Sequence, residues 1–142
     1  RWAAEFHEVG LSISHVQFHK HGEYILNCAD MPGFTRQEQQ SIAILVRGHR
    51  RRLRQQLLDG CSLEGKPSLL RLCVLLRLAV LLNRARGEAP PLDVVLKVRA
   101  EDSLSLKLTR DSFDDYPLTF SELLGEAERL HAAGYKLSVL KA

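Results

Sequence analysis

The chain has 142 residues, 45% hydrophobic and 26% charged, with a net charge of +3. That is enough for one ordinary domain, or one domain with a small appendage, with its own core, and the near-average composition argues against a disordered chain. Cys28, Cys61 and Cys73 are odd in number and show no CxxC spacing, which argues against a disulfide framework or zinc site and for reduced thiols in a cytoplasmic protein.

The chain opens at Arg1 rather than Met, directly in helical text, as an excised fragment or processed chain would. A first helix is predicted from Trp2 to Val9, with Gly10 as its stop. A second runs from His15 through Cys28 and ends in the turn ADMPGF, where Pro32 and Gly33 break it. Thr35 and Glu38 have capping-box spacing, and a third helix should run from there through the arginine-rich stretch to about Leu58. Asp59 to Pro67 reads as a loop. Ser68 then caps a long helix, LLRLCVLLRLAVLLNRAR, apolar nearly all round and therefore central. Its apolar window, Leu69 to Leu82, is too short to cross a bilayer and holds Arg71 and Arg77, so at most peripheral membrane contact is expected.

At Gly87 the pattern changes. GEAPP reads as a linker, and period-two alternation follows over Leu92 to Arg99 and Ser103 to Thr109, with Glu101-Asp102 turning between two strands. Thr119 and Glu122 repeat the capping-box spacing before a helix from Phe120 to Ala133, Gly134 stops it, and Lys136 to Leu140 is a last strand. The expected fold is mainly α: a helical bundle over residues 1–87, then a small β-β-α-β subdomain over 88–142.

Charge is uneven. Residues 47–86 hold ten Lys/Arg against two Asp/Glu, whereas the flanking segments are net acidic. The densest part, RGHRRRLR, places five arginines and a histidine between Arg47 and Arg54. On a helix Arg47, Arg50, Arg51 and Arg54 would share a side while Arg52 points away. A guanidinium fork matches two phosphate oxygens at once, so the cluster suggests a polyanion. Nine aromatic residues with none interleaved among these arginines give no base-stacking platform, and specific nucleic-acid binding is not expected.

Five of six histidines precede residue 50. His15 and His19, four apart, would share a helix face able to meet one metal. A His-acid pair such as His7-Glu8 in a helical bundle, with further histidines downstream and an acid late in the bundle, is the layout of HD-type metal phosphohydrolases, in which divalent metals activate water. More specifically, HEVGLSISHVQFHKHGEYILNCADMPGFTRQEQQSIAILVRGHRR and LLRLAVLLNRAR resemble the C-terminal half of the exopolyphosphatase and guanosine-pentaphosphate phosphatase family. HKHGEYIL and VRGHRR are more like the exopolyphosphatase branch.

The resemblance implies an HD-like helical domain with a small terminal domain, contributing to a homodimer and to a positively charged channel for inorganic polyphosphate. It places the catalytic acid, the phosphate loops and a Mg2+ cofactor in an actin-like half upstream of this sequence. Against the HD pattern, the upstream histidine is missing, His7-Glu8 replaces His-Asp, and Asn83 stands where the late aspartate belongs. A neutral amide is a poor ligand for a hard cation. No metal, cofactor or catalytic residue is therefore expected here, and His7 reads as a packed histidine bonded to Glu8 or Asn83. The candidate polyphosphate track is Arg47, His49, Arg50, Arg51 and Arg54, with His15, His19, His21, Arg84 and Arg86. The alternatives are an HD-type nucleotide phosphohydrolase and the same region of a guanosine-pentaphosphate phosphatase.

Overall fold

A computed structural model of the chain describes residues 1–59, 65–84, 93–109 and 116–141. The fold is mainly α with one small sheet, as the sequence predicts. It divides within one helix into two compact units, Arg1–Arg77 and Leu78–Ala142. Gly87, where the composition changes, lies outside the described residues, as do Cys61, Arg86 and the GEAPP stretch.

In the first unit, α1 (Trp2–Phe6) is shorter than predicted, and Val9–Ser12 forms a 3-10 turn. Gly10 is not a helix stop but a point of close approach: a Cβ there would lie 1.9 Å from the Phe18 carbonyl oxygen and 2.5 Å from the Gly22 nitrogen. α2 (Phe18–Cys28) begins three residues later than predicted. Ser14 Oγ accepts from the Val16 N–H, and Gln17 adopts a left-handed φ of 56°. A serine that satisfies a nearby backbone donor competes with helix in this way.

α3 (Arg36–Gly48) starts on the predicted cap. Thr35 Oγ1 accepts from the Glu38 N–H and Glu38 Oε2 accepts from the Thr35 N–H. Gln39, Ile42, Ala43 and Val46 form its buried stripe, at i, i+3, i+4 and i+7. The helix ends at Gly48, ten residues short of its predicted end, and a 3-10 turn over Gln55–Leu58 follows. A continuous helix would have stacked Arg47, Arg50, Arg51 and Arg54 on one side, where like charges at i,i+3 and i,i+4 repel.

α4 (Lys66–Leu82) starts two residues before Ser68, which is not its cap. Leu69, Cys73, Val74 and Leu76 are buried, but Leu72 and Leu75 are 51% and 43% exposed, so the helix has an open side and is not enclosed all round.

The second unit contains the end of α4, from Leu78, and a sheet of β1 (Val94–Ala100), β2 (Ser103–Leu108) and β3 (Lys136–Lys141), with α5 (Pro117–His131) between β2 and β3. β2 is central, antiparallel to β1 (Leu96 opposite Leu106) and parallel to β3 (Leu106 opposite Val139). Leu104, Leu106 and Leu108 of β2 are buried, as are Leu123 and Leu130 on α5. β1 is present as predicted, but Leu96 and Val98 on it stay exposed. Past α5, Gly134 takes a φ of +88°, and the Tyr135 and Gly134 N–H groups return to the Leu130 and His131 carbonyls. This is a Schellman end, which favours glycine at that position.

Candidate anion-binding site

Beyond Gly48 the chain abandons the helix while still carrying arginines. Arg51 adopts a left-handed φ of 63°, and the Arg77 guanidinium donates from Nη1 to the Gly48 carbonyl and from Nη2 to the Arg51 carbonyl, both at 2.6 Å. Gly48 itself is pressed against α4: a Cβ added to it would fall 2.3 Å from Cys73 Sγ. Ending the helix here fans its arginines around a cavity of about 550 Å³ instead of laying them in a row.

Arg47, Arg50, Arg51, Arg52 and Arg54 line this cavity. His15, Val16 and Gln17, just before α2, and His19 and Lys20 on its first turn face them, with Leu57 completing the lining. No carboxylate is among these residues. Glu23 reaches Arg47 Nε at 3.0 Å from outside, and burial pushes its carboxyl above the ordinary range against the opposing pull of that arginine. Arg50 is held with its guanidinium carbon 4.4 Å above the Phe18 ring centre, a cation–π contact. Arg51, Arg52 and Arg54 make no ion pair among the described residues.

His19 is 5% exposed, and its Nδ1 is buried without a hydrogen-bond partner. Burial first, then the nearby charges of Arg47, Arg50, Lys20 and Arg51, pull its pKa down to about 4. It therefore meets a ligand as a neutral imidazole at pH 7. His15 borders the pocket too, but it lies outside α2, so the four-residue spacing to His19 is not a helical pair.

The remaining candidates lie elsewhere. His49 is the residue after α3 and is buried outside the cavity lining, packed edge-on to His7 at 5.4 Å and tilted against Phe18 at 5.6 Å, with Nδ1 paired to the Val46 carbonyl. Burial holds its pKa at about 4. His21 is half-buried on α2 and does not line the cavity. Arg84, in the second unit, donates to Glu122 at 3.1 Å. His7 bonds its own turn through Nδ1 and the Ala4 carbonyl, with Glu8 3.9 Å from Nε2, and Asn83 donates to Ala79 in its own helix. No group of three or more His, Cys, Asp or Glu suited to a metal occurs among the described residues.

Lys20, Arg52 and Arg77 are absent from the site that the sequence predicts. Arg52 falls on the far side only of a helix that does not continue. The signal for the break is a glycine, Gly48, inside a run of arginines. The lining supplies charge and N–H donors in abundance and no carboxylate or thiol nucleophile, so what it can do is hold an anion, and phosphate oxygens suit guanidinium forks best.

Comparison with known proteins places this chain in a family. Residues 1–127 match the model of Ppx/GppA phosphatase, domain III. The chain belongs to the Ppx/GppA phosphatase family, as part of its C-terminal region. It is 36% identical over 137 residues to the guanosine-5'-triphosphate,3'-diphosphate pyrophosphatase of Pseudoalteromonas translucida (strain TAC 125), covering 96% of this chain and 27% of that protein. The protein of that name from Vibrio cholerae (strain ATCC 39315 / El Tor Inaba N16961) is 38% identical over 144 residues, covering 98% and 27%. That from Aeromonas hydrophila is 31% identical over 144 residues, covering 100% and 28%. The chain thus spans about a quarter of the length of these relatives. All three carry the name of the branch that the sequence motifs place second.

Proposed function

We propose that the cavity between the start of α2 and the end of α3 binds a phosphoanhydride chain for a Ppx/GppA phosphatase whose catalytic centre lies outside this sequence. The observation that carries this reading is the convergence of five guanidinium groups and one ammonium on a single concavity with no carboxylate in its wall. A linear phosphate polymer needs only such donors. Its many weak contacts give affinity that rises with chain length and falls with salt.

The names of the relatives favour a second substrate, the 5'-triphosphate end of a guanosine nucleotide. Both substrates present the same chemistry to the arginines. The lining offers no Phe, Tyr or Trp to stack a guanine, so here the phosphates rather than the base are recognised.

Isothermal titration with tripolyphosphate, long-chain polyphosphate and guanosine triphosphate, each at several salt concentrations, tests the reading. Replacing Arg51 and Arg54 together by Gln should weaken binding of all three by at least tenfold. It should also flatten the salt dependence, by roughly one unit of log–log slope for each phosphate no longer neutralised. Unchanged affinity and slope in the folded double variant would sink the proposal. Clear preference for the nucleotide over tripolyphosphate would select the second substrate.

A further inference from the structure

Arg77 is 3% exposed and stands in the most leucine-rich helix of the chain. A charge so placed is costly unless it is fully hydrogen-bonded. Two acceptors explain the position: the Gly48 and Arg51 carbonyls each receive a hydrogen bond of 2.6 Å from one arm of the guanidinium. Both carbonyls lie at or just past the end of α3, where the helix no longer provides donors for them.

Cys73, one turn earlier on the same side of α4, fills the space a side chain at Gly48 would need. α4 therefore grips this turn twice, with a sulfur against Gly48 and a fork across two carbonyls. The fork has a consequence that a single charge would not. Its two donors are at a fixed separation, so they set the distance between the Gly48 and Arg51 oxygens. They also hold Arg51 at a positive φ, a region a non-glycine residue does not enter freely.

We infer that Arg77 is the positioning residue of the pocket: by bridging the Gly48 and Arg51 carbonyls it holds the turn from which Arg50, Arg51 and Arg52 converge on one anion. Arg77 is not in the lining of the cavity. The inference rests on the anion-binding reading above and assigns the part of that site which lies behind its wall. Without the fork, the segment after Gly48 is free to rewind or straighten, and the same charges no longer meet at one point.

The test uses the whole chain with Arg77→Gln and Arg77→Lys, tripolyphosphate as probe, circular dichroism to establish folding, and titrations over a range of salt. A folded Gln variant should lose at least tenfold in affinity and show a shallower salt slope, since fewer guanidinium groups then reach the anion. The Lys variant keeps the charge but not the fork and should lose nearly as much. Wild-type affinity and slope in either folded variant would overturn the inference. For Lys that result would show that charge alone suffices.

Should neither variant fold, the wild-type chain decides. Arginine side-chain NMR should show two distinct, slowly rotating Nη groups for Arg77 both before and after tripolyphosphate is added, and one averaged signal would refute the bridge. Failure of the wild-type chain to bind tripolyphosphate defeats the anion-binding reading itself. Binding that proves independent of Arg77 defeats only the positioning role.

Discussion

Two stretches of the chain carry the same four-residue signal, a threonine with a glutamate three positions on, and fold differently. At Thr35 and Glu38 both reciprocal hydrogen bonds form, at 3.2 and 2.8 Å, and α3 begins there. At Thr119 and Glu122 neither does. α5 has already started at Pro117, with Thr119 as its third residue, and Glu122 turns to Arg84 instead. Proline is suited to the first helical position because its fixed φ fits and no N–H is needed there. A capping signal works only where no stronger neighbour has set the start.

The same contrast holds at the helix ends. In the second unit α5 stops at its own Gly134, a local device. In the first unit the ends of α2 and α3 are finished by side chains from the helix that follows each: Gln39 for α2, and Arg77 for α3. Gln39 Nε2 donates to the Leu26 and Ala29 carbonyls at 2.6 and 2.8 Å, while Arg36 donates to the Gln39 Oε1 and the Asn27 carbonyl. Gln39→Leu keeps the bulk but strands two carbonyls, and should cost about 3 kcal/mol in chemical denaturation. A loss below about 1 kcal/mol would mean that α2 is ended by local forces after all, and the contrast between the units would collapse.

The buried histidines sharpen the contrast through pH. His49 has an ordinary pKa of 6.5 and one of about 4 in the folded chain, so between these values the unfolded chain binds the extra proton. Its stabilising effect is complete above pH 6.5, declines as pH falls, and is gone once the pH has passed through the folded value near 4. The full loss should be on the order of 2 kcal/mol after allowance for residual solvation. His19 titrates in the same sense. Unfolding free energies of wild type and His49→Phe, measured from pH 7.5 to 4, should show a shallower slope in the variant. Equal slopes would mean that His49 is not held neutral by its packing against His7 and Phe18.

These cases also explain what is legible in the sequence. Period-two alternation places β2 nearly to the residue, and the stop at Gly134 with the short strand after it is legible too, because each depends on neighbours along the chain. The α3 cap is legible for the same reason. The break after Gly48 is marked locally only by that glycine, since the contacts made there by Cys73 and the Arg77 fork lie 25 or more residues away and look like mere helix content. The arginine cluster is plain in the sequence, but helical spacing assigns its members to faces of a helix that ends before them. Hence Arg52 falls on the wrong side and Lys20 goes unnoticed. Composition identifies the charge that the site uses, and only tertiary contacts determine where that charge converges.

The smallest expected effect tests the opening contrast most directly. Thr35→Ala removes the acceptor for the Glu38 N–H and frees the glutamate that binds back. It should cost about 1 kcal/mol, the usual value of an N-cap. The Glu38 carboxyl is held below its ordinary range by hydrogen bonds from the Thr35 backbone and hydroxyl, so the variant should also return it toward normal, which side-chain carboxyl NMR would detect. Thr119→Ala, at the equivalent place in the second signal, lies within the first turn of α5 and should change stability by less than ~0.5 kcal/mol, with alanine's better helix propensity offsetting the loss of the hydroxyl and methyl groups. If the two substitutions cost the same, Pro117 does not override the threonine, and the start of α5 must be set by Thr119 despite the geometry.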